Sequence, residues 1–430
     1  MRHVNFLTTL AVALATLASC GNEPAMKLHN DSSPGKTALL ETKDQALVTK
    51  AVKARDFFYS KGSRVSAAGA TIGHYVTNSS RSETDTVLSV VNFADGQGFV
   101  ILTDKVDSPE ILAVSDEGTL DLGNIDNPSL RLFVDNAVEN LQGRAQSATR
   151  GLDPTRPYLL EVENTYDTIF SVGPMIKVHW GQDAPYNNYC PVILGSVRAF
   201  AGCVPIAGAQ IMTHYQYPNS FVWDVDGGSS TVSLDWNIIN KHVTSGTSSI
   251  PANCQDDIAT HNAIGMLVRK LGKEVNASYT PFGTGATMQG FKAGMSYFGY
   301  TTSAIKQFGT TPKPVFDGSR IWAVGGSDTT TEGRDATHMF LVDGRKYIRH
   351  YHKTYILDPA VTPPLLVEVV NEYTVYYDYI HVNWGWDGTA NGYYYEGSFD
   401  SSNPRKLDYP SGGVGNYNFT SNLMYVEVYR

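Results

Sequence analysis

Gly202-Cys203-Val204-Pro205-Ile206-Ala207-Gly208-Ala209-Gln210-Ile211-Met212 is the stretch around which the rest of the chain can be ordered. Val204, Ala207, Ile211 and Tyr215 share one helical stripe, so a helix is predicted from about Val204. Pro205 fits its first turn, where the missing N–H costs little, and Pro218 closes the pattern. Cys203 stands directly before the helix, where unpaired N–H groups and the positive dipole end favour a thiolate. Gly202 lets backbone or substrate approach closely. On position alone, a buried structural thiol is an equal reading.

Downstream, two more helices are predicted near residues 256–271, where Gly272 is a natural stop, and near 286–298. After about residue 315 the pattern turns to strands. These are Ile321–Val324, Met339–Val342, Tyr355–Leu357, Tyr376–Trp384, Gly392–Tyr395 and Leu423–Val428. Helices first and strands later predict an α+β domain with a helical half and an antiparallel half. Upstream, residues 43–60 have helical spacing, Thr86–Phe93 and Phe99–Leu102 flank an Asp95-Gly96-Gln97-Gly98 turn, and a helix is expected over Pro128–Leu141. Periodicity lapses over 145–160, so a first α+β domain at 43–142, a linker at 143–170 and a second domain at 171–430 are predicted.

The chain has 430 residues, enough for two or three domains at about 150 residues each. Lys+Arg number 33 against 42 Asp+Glu, and the net charge of -9 argues against a nucleic-acid partner, which needs a basic face. Apolar residues reach 42%, which excludes a disordered chain. No apolar run of about 18 residues is present, so no ordinary membrane-spanning helix is predicted. Four cysteines, Cys20, Cys190, Cys203 and Cys254, are too few for a disulfide scaffold. Cys190 and Cys254 could pair outside the cytoplasm or stay free.

Arg2 and His3 precede the apolar run Phe6–Ala18, which suits a signal peptide over residues 1–19. Leu17-Ala18-Ser19-Cys20 resembles a bacterial lipoprotein box, which implies cleavage before Cys20 and lipid on its thiol; the other reading is ordinary secretory cleavage with Cys20 incidental. Residues 20–42 are polar and read as a tether. The chain is therefore expected in a cell envelope, anchored to the membrane by its lipid.

A nucleophilic thiol needs a base and an orienting partner that are near in space. His338 opens the buried-looking run Met339–Val342, where it could be held at a cleft edge, although a strand-end His in contact with solvent is the commoner case. In Tyr379-Ile380-His381-Val382-Asn383-Trp384-Gly385-Trp386, alternation puts Asn383 and His381 on one face and Trp384 on the other. Asn383 could accept from an imidazole and Trp384 could shield that bond, while simple core packing explains Trp384 and Trp386 equally well. Trp180-Gly181-Gln182-Asp183 precedes the cysteine, and the Gln182 amide with the Cys203 N–H could form an oxyanion hole. His350-Tyr351-His352 lacks a third ligand, and neither a metal nor a cofactor is predicted.

Taken in order, four runs resemble the streptopain family of bacterial cysteine peptidases, within the papain-like group. They are Trp180 to Asn187, Gly202 to Met212 with Tyr217-Pro218, His338 to Gly344, and His381 to Trp386. Gly98–Leu102 and Pro109–Asp116 resemble that family's propeptide. The resemblance implies a papain-like peptidase of two subdomains, made as a zymogen, with its own prodomain as inhibitor and proteins or peptides as substrates. It implies Cys203 as nucleophile, His338 as base and acid, Gln182 as oxyanion donor, and Asn383 with Trp384 orienting and shielding His338. Thr337-His338-Met339, Pro205-Ile206 and the loop Ser327–Thr337 depart from the family pattern. The activating cut is expected between about 143 and 171, with Arg150 and Arg156 as candidates. Two other readings stand beside this one: a Cys/His acyl transferase or amidase, and a non-catalytic surface binding protein.

Overall fold

A computed structural model describes residues 36–59, 65–78, 84–105, 108–142, 159–193, 195–242, 258–281, 283–308, 315–326, 338–358, 365–399 and 423–430. Cys20, Cys254, Arg150, Arg156 and the loop 327–337 lie outside these residues. No described helix is long and apolar enough to cross a membrane. By its contacts the chain forms two units, residues 1–125 with 141–145, and residues 126–140 with 146–430.

The first unit has one helix, α1 (Lys36–Tyr59), and four antiparallel strands: β1 (Thr71–Asn78), β2 (Thr84–Asn92), β3 (Phe99–Leu102) and β4 (Ile111–Ser115). The expected turn between β2 and β3 is present, with Asp95 at φ 56°. Val48, Ala51, Ala54 and Phe58 recur at helical spacing and are buried where α1 crosses β3 and β4. Arg55 is drawn into this core by carbonyl acceptors, Gln97 O at 2.9 Å and Ser115 O at 3.1 Å. The helix begins at Lys36, within the segment read as a tether.

The second unit opens with α2 (Pro128–Leu141), whose first N–H groups are capped by the Asn127 side chain at 3.1 Å. This helix was expected to close the first domain. By its contacts it groups with residues 146–430, where Phe133 packs edge-on to Tyr394, ring centroids 4.9 Å apart, and against Phe399.

Then follow β5 (Leu159–Val172), β6 (Val192–Ile193), β7 (Val197–Arg198), α3 (Cys203–Tyr215), β8 (Ser220–Trp223), β9 (Ser230–Ser233) and α4 (Trp236–His242). α5 (Ile258–Glu274), β10 (Ser278–Thr280), β11 (Gly283–Gly285) and α6 (Met288–Tyr297) complete the helical part. β12 (Thr301–Thr302), β13 (Lys306–Gln307), β14 (Ile321–Gly326), β15 (Met339–Asp358), β16 (Leu365–Asn383), β17 (Gly392–Tyr395) and β18 (Leu423–Tyr429) build the antiparallel part. Its strand order is β17-β16-β15-β14-β18-β12, with β5 on β15 and β13 on β18. The predicted α+β architecture of a helical and an antiparallel part holds.

The helix that carries Cys203 sits at the centre of this unit. Every residue of α3 from Cys203 to Thr213 is buried, among α4, α5, α6 and β15. A helix that is apolar all round has no solvent face to keep, so it becomes the core itself. β5 lies partly within the segment read as a linker. Leu159–Val172 is a strand paired with β15 from Leu159↔Leu357 to Val172↔Arg345. Its residues do not alternate regularly, and from Asn164 to Val172 the side chains are half-buried or exposed, so no strand period marks it in the sequence.

Candidate active site

Gly202 sets the entry to α3. Its φ is 91°, a region that favours glycine, and a Cβ there would meet the Thr284 side chain at 2.8 Å. The next residue, Cys203, is 6% exposed, and its Sγ accepts the Met339 N–H at 3.3 Å. That contact spans the two parts of the unit: the first turn of α3 meets the first residue of β15. His338 is the preceding residue on that chain, 7% exposed. The Trp386 ring stands edge-on beside its imidazole, centroids 6.2 Å apart. Among the described residues, His338 Nε2 and Trp386 Nε1 are buried without a hydrogen-bond partner.

Burial disfavours the charged form of both groups. Burial pushes the Cys203 thiol up, against the opposing pull of the Met339, Val204 and Cys203 N–H groups. The expectation that the helix terminus favours a thiolate is outweighed here by desolvation. Burial also lowers the His338 imidazole from 6.5 to about 4. The sign of the linkage follows. Between pH 6.5 and 4 the unfolded chain takes up a proton on His338 that the folded chain refuses, so stability falls as pH drops through that window. A Cys203→Ala chain is expected to melt lower at pH 4.5 than at pH 7, and adding His338→Gln should shrink the difference. An unchanged difference would mean that the acid loss comes from other groups.

Gln182 is brought to the same end of α3 by its backbone, since Gln182 O accepts the Ala201 N–H at 2.8 Å. Gly181 before it has no room for a side chain, because a Cβ would lie 2.2 Å from the Asp387 carboxylate. Asp387 follows Trp386, and its pKa is raised by burial and then by the charge of Asp183. The Cys203, His338 and Gln182 segments therefore converge, with Trp386 closing one side.

Asn383 and Trp384 sit differently from expectation. The Asn383 amide is taken by Gln210: Gln210 Nε2 donates to Asn383 Oδ1 at 3.2 Å, and Asn383 Nδ2 donates to Gln210 Oε1 at 3.1 Å. Trp384 is fully buried on the far face, packed on Phe340 at 4.9 Å and donating to Ala390 O at 2.9 Å. The ring beside His338 is Trp386, because the turn at Gly385 (φ 71°) carries the chain back towards the imidazole. His381 is engaged elsewhere, 2.6 Å from the Asp343 carboxylate, whose other oxygen accepts the Ile176 N–H at 2.8 Å. Asp343 reaches both because a bulge in β15 interrupts the register between Val342 and Gly344.

His350 and His352 converge on one amide oxygen. Both rings lie 2.8 Å from Asn164 Oδ1, and among the described residues no group of three or more His, Cys, Asp or Glu is placed to hold a metal ion. Gln210 and Asp343 were not singled out from the sequence. Gln210 had a signal: it is a polar residue inside the apolar run Val204–Met212, seven positions after Cys203 and so on the same face.

Comparison with known proteins places this geometry in a class, the cysteine-type endopeptidases. The Peptidase C10 family profile matches residues 180–394, half of the chain, and a Spi protease inhibitor profile matches residues 42–141. The chain belongs to the Peptidase C10 family and carries a propeptide-like inhibitor domain before the peptidase. It is 25% identical over 361 residues to streptopain of Streptococcus pyogenes, covering 76% of this chain and 77% of that protein. It is 21% identical to the thiol protease/hemagglutinin PrtT of Porphyromonas gingivalis, covering 84% of this chain and 39% of that protein. A fragment of Prevotella intermedia prointerpain A aligns over 82% of this chain and 98% of its own length, at 20% identity and a TM-score of 0.44.

Proposed function

We propose that the chain is an exported, surface-anchored zymogen whose mature form cuts peptide bonds through a thioester on Cys203. Cys203 gives its proton to His338 and its sulfur bonds to the substrate carbonyl carbon. The oxyanion that forms accepts from the Gln182 amide and the Cys203 N–H. The C–N bond breaks as His338 returns the proton to the leaving amine. Water, deprotonated by His338, then releases the acid and restores the thiol. Trp386 takes the shielding place first given to Trp384. The observation that carries this reading is the Met339 N–H on Cys203 Sγ, which sets the residue after His338 on the thiol at a helix N-terminus.

The inhibitor match supports residues 43–142 as an inhibitory prodomain. Residues 1–19 are the export signal, Cys20 takes the lipid, and 20–42 tether the chain to the membrane. Activation cuts between about 143 and 171 and releases the peptidase domain to act on proteins or peptides. The burial of the thiol and the imidazole, which disfavours their charged forms, suits a latent chain, in which the ion pair forms only after processing.

The test uses the chain without residues 1–20, treated with a papain-type epoxide inhibitor while mass and casein cleavage are followed. The expected result is shortening by about the length of the prodomain, casein cleavage, and one inhibitor equivalent on Cys203. A chain that after trypsin treatment still neither labels nor cuts would instead be a surface binding protein. Incorporation of an added amine in place of cleavage would make it an acyl transferase.

A further inference from the structure

Gln210 is fully buried, and its side chain joins three of the four stretches of sequence that supply the site, those of Gln182, Cys203 and Trp386. It stands on α3 seven residues after Cys203, two turns along the same face and about 10 Å down the axis. Its Oε1 accepts the Trp180 N–H at 3.2 Å, two residues before Gln182. Its Nε2 donates to Asn383 Oδ1, three residues before Trp386. Asn383 returns a bond from Nδ2 to Gln210 Oε1 and a second to Val178 O at 3.2 Å. Asn383 Oδ1 also accepts the Gly385 N–H at 3.0 Å, at the turn that aims Trp386.

The orientation of both amides is fixed by these neighbours. The Trp180 and Gly385 N–H groups require oxygens, and the Val178 carbonyl requires an NH2 group. The two side chains therefore face each other as a reciprocal amide pair, with no solvent to replace any bond that is lost. A buried polar group left unmatched here is costly, so the pair defines one arrangement of the three stretches.

We propose that Gln210 is a positioning residue for catalysis. Through its paired amide it holds the Gln182 stretch and the Trp386 turn at fixed places relative to the nucleophile helix, and Asn383 serves the site through Gln210 without touching the imidazole. The proposal rests on the peptidase reading above and deepens it. It assigns Gln210 to the transition state and not to substrate affinity, because the parts it aligns are an oxyanion donor and the ring beside the base. Misplacing such groups by about 1 Å can cost on the order of 10²-fold in rate.

The experiment compares processed wild type, Gln210→Leu and Gln210→Glu. For Gln210→Leu, kcat is expected to fall about 10²-fold while KM stays within about threefold, as for an interaction made in the transition state. Alkylation of Cys203 by iodoacetamide needs no oxyanion donor and should stay within about threefold of wild type. For Gln210→Glu, an ionised carboxylate opposes Asn383 Oδ1, so kcat is low at neutral pH. Burial raises the pKa of such a carboxyl, and once protonated it donates to Asn383 as the amide did. Its kcat relative to wild type should therefore rise as pH falls, at constant folded fraction by circular dichroism.

An unchanged kcat in both variants would overturn the proposal. So would parallel losses of kcat, alkylation and folded fraction, which would make Gln210 a core residue only. If Gln210→Leu does not fold, the Gln210→Glu profile decides, and a ratio to wild type that is flat with pH counts against the proposal. Wild type that fails to cut casein at all would sink the peptidase reading itself, and this proposal with it. Wild type at full turnover beside unaffected variants would sink the role of Gln210 alone.

Discussion

Cys203→Ala is expected to abolish casein cleavage and any self-shortening while leaving the melting temperature within a few degrees of wild type. In hydrolases that act through a nucleophile of this kind, its removal costs on the order of 10⁶-fold in kcat. The fold should tolerate the change. Cys203 sits at the first position of α3, and the substitution removes one sulfur atom while leaving the eleven-residue buried run of the helix in place. Cleavage assays on the purified variant check this. Retention of more than about 1% of wild-type turnover would show that another group performs the attack.

His338→Ala is expected to lower kcat by about 10²–10⁴-fold, the usual contribution of a positioned base and acid. The thiol would survive, and its alkylation in the processed enzyme should require higher pH than in wild type, because no imidazolium remains to stabilise the thiolate. The alkylation rate against pH separates this from general damage to the site. A profile that overlays wild type would remove His338 from its role, and His381 could not take its place while its Nδ1 is held 2.6 Å from Asp343.

The sequence showed the local pieces of this site more clearly than their connections. The helix after Gly202 and the strand after His338 were legible, because an apolar stripe broken by Pro218 and a short apolar run have few other readings. The meeting of Cys203 with Met339, whose residues lie far apart in the chain, is a tertiary contact that no local pattern encodes. The pairing of Asn383 was missed for a related reason. Alternation tells which face of β16 it occupies, but the partner on that face comes from α3. Trp384 and Trp386 share an alternation phase, and only the turn at Gly385, at φ 71°, sends the second ring to His338 and leaves the first in the core. Strand β5 stayed hidden because it joins β15 by backbone pairing, while its side chains from Asn164 to Val172 are half-buried or exposed.

That α3 is enclosed on every side carries a consequence for how this catalyst can change over generations. The Cys203 sulfur is at the tip of a helix buried along eleven consecutive residues, so for the proposed nucleophile a substitution that loosens Ile206, Ala209 or Ile211 disturbs the rate together with the fold. Drift in activity and drift in durability are mechanically coupled here. Variation that adjusts selectivity without cost is left to the periphery, the segments that approach the helix tip from outside.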